Sequence, residues 1–177
     1  MASSAIILPY GGKMPVIGED TLICPGAVVV GDVTIGNESS LWFNSVVRGD
    51  VFHIRIGKHS NIQDLSMLHV TSGKYALEIG DDVTVGHSAV LHGCVVRSSC
   101  LIGMGARVLD RAIINSYCIV AAGSVVREGF IAPEGTLIAG IPARVKRELT
   151  DADREMIDNS ATHYVEIART YRKIFAA

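Results

Sequence analysis

Charge is scarce in this chain. Asp, Glu, Lys and Arg make up 19% of its 177 residues, the formal net charge is -2, and no basic run occurs. A nucleic acid or an acidic membrane surface calls for a concentrated positive field, so neither is expected as a partner. Aromatic residues are equally thin at 6%, with one tryptophan, so the core cannot be built from large rings. Apolar runs long enough to span a bilayer are missing as well, and the opening MASSAIILPYGG is too short and too uncharged for a signal peptide. A cytoplasmic location is expected. Four cysteines in a chain of this size do not suggest a disulfide framework.

What fills the chain is small and aliphatic, and it repeats. Val96, Ile102, Val108, Ile114, Val120 and Val126 recur every sixth residue. One five-residue step earlier stand Leu91, Val85 and Ile79, and the frame continues upstream through Leu68, Ile62, Ile56, Val47, Leu41, Ile35, Val29, Ile23 and Ile17. Two positions before most of them sits a small residue, such as Ala27, Ser39, Ser45, Ala89, Cys94, Cys100, Ala106, Ala112, Cys118 or Ser124. A period of six is neither helical nor a simple strand alternation. It fits short strands wound as a solenoid, with the aliphatic and the small residue both inward. The pattern resembles the hexapeptide-repeat left-handed parallel β-helix, an all-β triangular prism with three hexapeptides per coil. About seven coils then run to Ile138, with insertions near Asp50–His53 and Thr71–Tyr75.

The prism is expected to occupy residues 1–148 and to end at GIPARVKREL. Thr150 with Asp153 makes a capping signature. Ile157, Ala161, Tyr164, Val165, Ala168 and Tyr171 then mark an amphipathic helix in 149–177, reaching about Phe175 and packed on the prism or on a neighbouring subunit. Cys94, Cys100 and Cys118 read as small core residues, whereas Cys24 lies outside their ladder.

Three of the six histidines, His69, His87 and His92, fall between Asn61 and Gly93. Leu68 and Leu91 are one coil plus an insertion apart, so His69 and His92 stack on one face, within reach of a shared ion. His87 lies on the preceding face near a corner and meets that pair only if prisms pack about a threefold axis. The spacing therefore predicts a trimer with a three-histidine metal site between subunits, the ligand number of a catalytic zinc. Arg48 stands one coil above His69, Asp50 two residues on, and Asp64 one coil above His87. An outward histidine alone is more often a surface residue, and Arg48 with Asp50 reads equally well as an interface ion pair. His53, His59 and His163 share no register with the three.

RGD at 48–50, NIQD at 61–64, LHV at 68–70 and GHSAVLHG at 86–93 resemble the γ-class carbonic anhydrase family, and the resemblance spans essentially the whole chain. It implies a homotrimer that interconverts carbon dioxide and bicarbonate by a metal-activated hydroxide. The metal is held by His69 and His92 of one subunit and His87 of the next. Zinc is the usual ion, and iron or cobalt can serve. The resemblance also implies that Gln63 and Asn61 line the site, that Gln63 orients the hydroxide, and that Arg48, Asp50 and Asp64 support the site and the interface. Tyr164 matches a helix tyrosine near the site in some relatives. The archetypal enzyme carries a glutamate after the aspartate of its RxD motif and another in an acidic loop. Here Val51 and the acid-free TSGKYA stand there, so a slower proton transfer and low turnover are expected. Two other readings are a non-catalytic metal-binding trimer and a hexapeptide acyltransferase or thioesterase that uses acyl-CoA.

Overall fold

The computed structural model describes residues 4–176, so residues 1–3 and 177 of the expected domain bounds lie outside the described residues. The chain winds as a parallel β-solenoid of about seven turns and closes with one helix. Its registers are those the sixfold pattern predicts. Ile17, Ile35, Ile56, Ile79, Val96, Ile114 and Ala132 stack as the inward column of face one. Ile23, Leu41, Ile62, Val85, Ile102, Val120 and Ile138 form that of face two. Val29, Val47, Leu68, Leu91, Val108 and Val126 form that of face three.

Nearly all these side chains are buried, as are the small residues beside them, Cys94, Cys100 and Cys118 included. Each buried aliphatic contributes about 1.5–3 kcal/mol, so a narrow prism accumulates a core without large rings. The corners are tight turns with left-handed residues, among them Leu65 (φ 62°) and Ser88 (φ 59°). Coil stacking leaves no room at some of them. A Cβ on Gly57 would lie 2.5 Å from the Gly80 main chain.

Faces one and three are joined where two long strands, Val28–Ile35 and Val46–Ile56, carry the backbone round a corner. The pairing jumps from Gly31↔Gly49 to Val33↔Ile54, which places the expected insertion at Asp50–His53. Two edges differ from the plain repeat. Ile6–Leu8 adds a strand on Val28–Val30, so the N-terminal apolar run extends face three. Ala143–Glu148 folds back antiparallel on Thr136–Gly140, so the exit segment is itself paired.

Helix α1 spans Asp151–Ala176. Its start is a reciprocal cap, in which Thr150 N–H donates to Asp153 Oδ2 at 2.8 Å and Asp153 N–H donates to Thr150 Oγ1 at 3.2 Å. The helix lies along face two of its own prism, with Ile157, Ala161 and Ala168 buried. Tyr164, Ile167 and Tyr171 close over Leu22, Cys24 and Trp42, which gives Cys24 its place. Ion pairs from Arg169 to Glu38 and from Arg172 to Asp20 fasten its C-terminal half. No described helix is long and apolar enough to cross a membrane.

Candidate metal centre

Met67–His69 and Val90–His92 are neighbouring strands of face three, and their pairing sets His69 directly against His92. Both side chains leave the prism outward, because Leu68 and Leu91 take the inward places. The rings face each other with centroids 5.1 Å apart, and His69 Nδ1 stands 3.1 Å from His92 Nε2. Two nitrogens bound at about 2.0–2.1 Å to one tetrahedral zinc stand about 3.3 Å apart, so this pair fits such an ion.

The outer nitrogens are both occupied by carboxylates. His69 Nε2 lies 3.1 Å from Asp50 Oδ1, and His92 Nδ1 lies 2.5 Å from Asp110 Oδ1. Arg48, one coil from His69, pairs with the other oxygen of Asp50. Thr71 Oγ1 donates to the other oxygen of Asp110 at 2.6 Å. Ionised carboxylates only accept, so each ring carries its proton on the outer nitrogen and turns a lone pair inward. The two lone pairs then face each other and need a cation or a proton between them. Burial holds the His69 imidazolium below its usual range, against the pull of Asp50. Burial alone would raise the Asp110 carboxyl, but the bonds from Thr71 and His92 bring it below the usual range.

Asp110 is the residue that sequence reasoning missed. The step from Leu91 to Val96 makes its coil one residue short, so the slot facing His92 passes to Leu109 and the acid falls in the corner turn, just before the left-handed Arg111. The five-residue step in the repeat was the available signal.

His87 sits apart from this pair, at the corner between faces two and three, just before the left-handed Ser88. Its Nδ1 lies 2.8 Å from Asp64 Oδ2, so Nε2 is the nitrogen left for a ligand. Among the described residues of one chain, no group of three His, Cys, Asp or Glu is placed to hold a metal. Gln63 and Asn61 are buried beside His87, whose main-chain N–H donates to Gln63 Oε1 at 3.2 Å. A cavity of about 340 Å³ opens there, polar at Gln63, Thr84 and His87 and apolar towards Met104 and Ile119. Tyr164 packs edge-on to Trp42 at 5.4 Å, and its hydroxyl is raised by burial and then by the charge of Asp64. Val51 is exposed, and its carbonyl accepts from Gly73 at the tip of the acid-free loop. Val51 and the acid-free loop are therefore neighbours. His59 is held between Asp82 and Glu38, and His163 is exposed on α1.

Known proteins are similar to this chain in sequence and in fold. Residues 14–49 and 93–128 match the family model for the bacterial transferase hexapeptide. A carbonic anhydrase of Geobacillus kaustophilus is 45% identical over 169 residues, covering 96% of this chain and 92% of that one. Gamma carbonic anhydrase 1, mitochondrial, of Arabidopsis thaliana is 44% identical over 164 residues, covering 90% of this chain, which spans 60% of that protein's length. Among solved structures, a Bacillus cereus protein assigned as an acetyltransferase superposes with a TM-score of 0.95 at 44% identity, covering 97% of this chain and 99% of that one. A hexapeptide transferase family protein of Anaplasma phagocytophilum gives 0.90 at 37%, covering 94% and 98%. With its sixfold solenoid and its relatives of near-equal length, the chain belongs to the γ-class carbonic anhydrase family.

Proposed function

We propose that this protein is a metal-dependent enzyme that hydrates carbon dioxide reversibly, working as a homotrimer with its sites between subunits. The observation that carries this is the pair of inward nitrogens of His69 and His92, 3.1 Å apart, each ring locked by its own carboxylate. Zinc, iron or cobalt would be held by His69 and His92 of one subunit and His87 of another. A bound ion of this kind supplies a Lewis acid that makes hydroxide available near neutral pH. The remaining work falls to the chain. Asp50, Asp110 and Asp64 keep the ring protons on the outer nitrogens, and Gln63 orients the attacking oxygen over the apolar cavity.

The trimer is supported by the surface beside the site. The outward places of face three around the histidines are Val28, Val46, Met67 and Val90, and the His87 edge exposes Leu65 and Met104. A polar histidine pair rimmed by apolar side chains suits burial against a second copy. Tyr164, packed on Trp42 and within the influence of the Asp64 charge, is assigned in this reading to the Asp64 side of the site. The cytoplasmic location expected from the sequence is part of this reading. The named plant relatives are mitochondrial, and fractionation of the source cells tests it.

The test is stopped-flow hydration of carbon dioxide by zinc-loaded protein, with metal-stripped protein as control. Metal-dependent hydration above background is expected, at a modest rate because both of the family's glutamates are absent, Val51 and the acid-free TSGKYA standing in their places. A fully metallated trimer without hydration would leave a metal-binding role. His87→Ala is expected to lose the metal and to weaken the trimer, and an unchanged metal content would sink the intersubunit assignment. Acyl transfer from acyl-CoA is a second reading, favoured by the apolar part of the cavity and by the assignment of the Bacillus cereus structure. Calorimetry with acetyl-CoA decides it.

A further inference from the structure

The Gln63 carboxamide is the inner end of a hydrogen-bonded chain that runs from the candidate centre to helix α1. The His87 main-chain N–H donates to Gln63 Oε1, and Gln63 Nε2 donates to Asn61 Oδ1 at 3.1 Å. Asn61 Nδ2 donates to Thr84 Oγ1 at 2.9 Å, and Thr84 Oγ1 lies 3.0 Å from Ser160 Oγ on α1. Gln63, Asn61 and Thr84 are 5%, 1% and 5% exposed, so the chain is largely shielded from bulk water, and Ser160 is its half-buried outer end.

The direction of this chain is set at its inner end. A main-chain N–H can only donate, so the group facing it must be Oε1, and Nε2 is turned to Asn61. Reversing either amide would set N–H against N–H or oxygen against oxygen. At the far end the Thr84 hydroxyl accepts from Asn61 and has its own proton to give to Ser160. Gln63 is left with its second Nε2 proton for a ligand oxygen in the cavity it shares with His87.

We propose that Ser160 is a positioning residue for this site, acting through Thr84 and Asn61 to hold the Gln63 carboxamide in one orientation. The inference deepens the hydration reading and rests on it for the meaning of Gln63. It ties the docking of α1, fastened through Trp42 and Glu38, to the geometry of the reacting centre.

The test uses Ser160→Ala and Thr84→Val, with Ser160→Thr and Thr84→Ser as conservative rescues, each alone and in a Gln63→Ala background. In metal-free full-length protein, side-chain amide proton exchange of Gln63 and Asn61 is followed by NMR. Exchange in the Ala and Val variants is expected to rise about tenfold, as for the loss of one buried hydrogen bond, and to return in the rescues. In zinc-loaded protein, kcat is expected to fall about tenfold with KM little changed, and neither substitution adds to Gln63→Ala. Unchanged amide exchange in Ser160→Ala overturns the proposal, as does an equal loss of kcat with and without Gln63. If the wild-type protein does not hydrate carbon dioxide, the hydration reading fails by itself, and amide exchange still decides the relay.

Discussion

Removing the Asp110 carboxylate tests whether the outer partners of the histidines set metal affinity. In Asp110→Ala the proton on His92 Nδ1 loses the oxygen that receives it at 2.5 Å. What remains to receive it is the Thr71 hydroxyl, released from the same carboxylate, or water at the part-exposed ring, and neither carries a charge. His92 is then free to move its proton to Nε2, the nitrogen that faces His69, and a protonated nitrogen cannot bind an ion. Losses of this kind run to about 10–100-fold in affinity, or about 1.4–2.8 kcal/mol. The side chain is 18% exposed, which places the expectation in the upper half of that range. Asp110→Asn should lose less, about 3–10-fold, since an amide oxygen can still accept from His92 while a neutral acceptor bonds about half as strongly. Asp158→Ala, exposed on α1, serves as the control. Zinc is titrated in competition with a chromophoric chelator at neutral pH. Affinity of Asp110→Ala within about twofold of the wild type would refute the argument, since a ligand that had lost its outer partner would then bind as well as one that kept it.

Other consequences can be checked on the metal-free protein. Lys13 bonds Asp32 and holds its carboxyl below the usual range, with Arg55 adding to the effect. A folded-state value below the unfolded one stabilises the fold above the usual carboxylate range, at about pH 4, and the benefit disappears as pH falls through the folded value. Asp32→Asn should therefore show a smaller drop in urea midpoint between about pH 6 and pH 3, by roughly the share of one ion-paired carboxylate. Cys24, Cys94 and Cys100 are buried with thiols pushed up to about 12 by burial, so a thiol reagent should label none of them until the protein is denatured. Gly57→Ala drives a methyl into the Gly80 main chain and should lower stability by about 2 kcal/mol or more, read as a shift in thermal midpoint.

Much of this molecule is legible in its sequence because the solenoid makes register a matter of counting. Once Leu68 and Leu91 are known to be inward, His69 and His92 must be outward and adjacent, and Asp64 must lie over His87. What escapes counting depends on direction or on breaks in the count. Asp110 reaches His92 from a corner turn, because the short coil gives the facing slot to Leu109. Ser160 reaches Thr84 because α1 rests on face two at one particular rotation, which its 3–4 spacing leaves open. Ile6–Leu8 carries too few residues to show a period, and the antiparallel return of Ala143–Glu148 follows a pairing rule different from that of the repeat.

Coil stacking also makes the candidate centre local along the prism axis. Its face-three members come from coils that sit side by side, each step being about 4.8 Å. An extra coil inserted between His69 and His92 would double their separation and divide the pair. The same coil inserted beyond Val126 would lengthen the prism and leave the His69–His92 distance as it is, but α1 would then start one coil further from Thr84. Length in this molecule can vary without dividing the histidine pair, provided that change arrives in whole turns outside the coils that carry it.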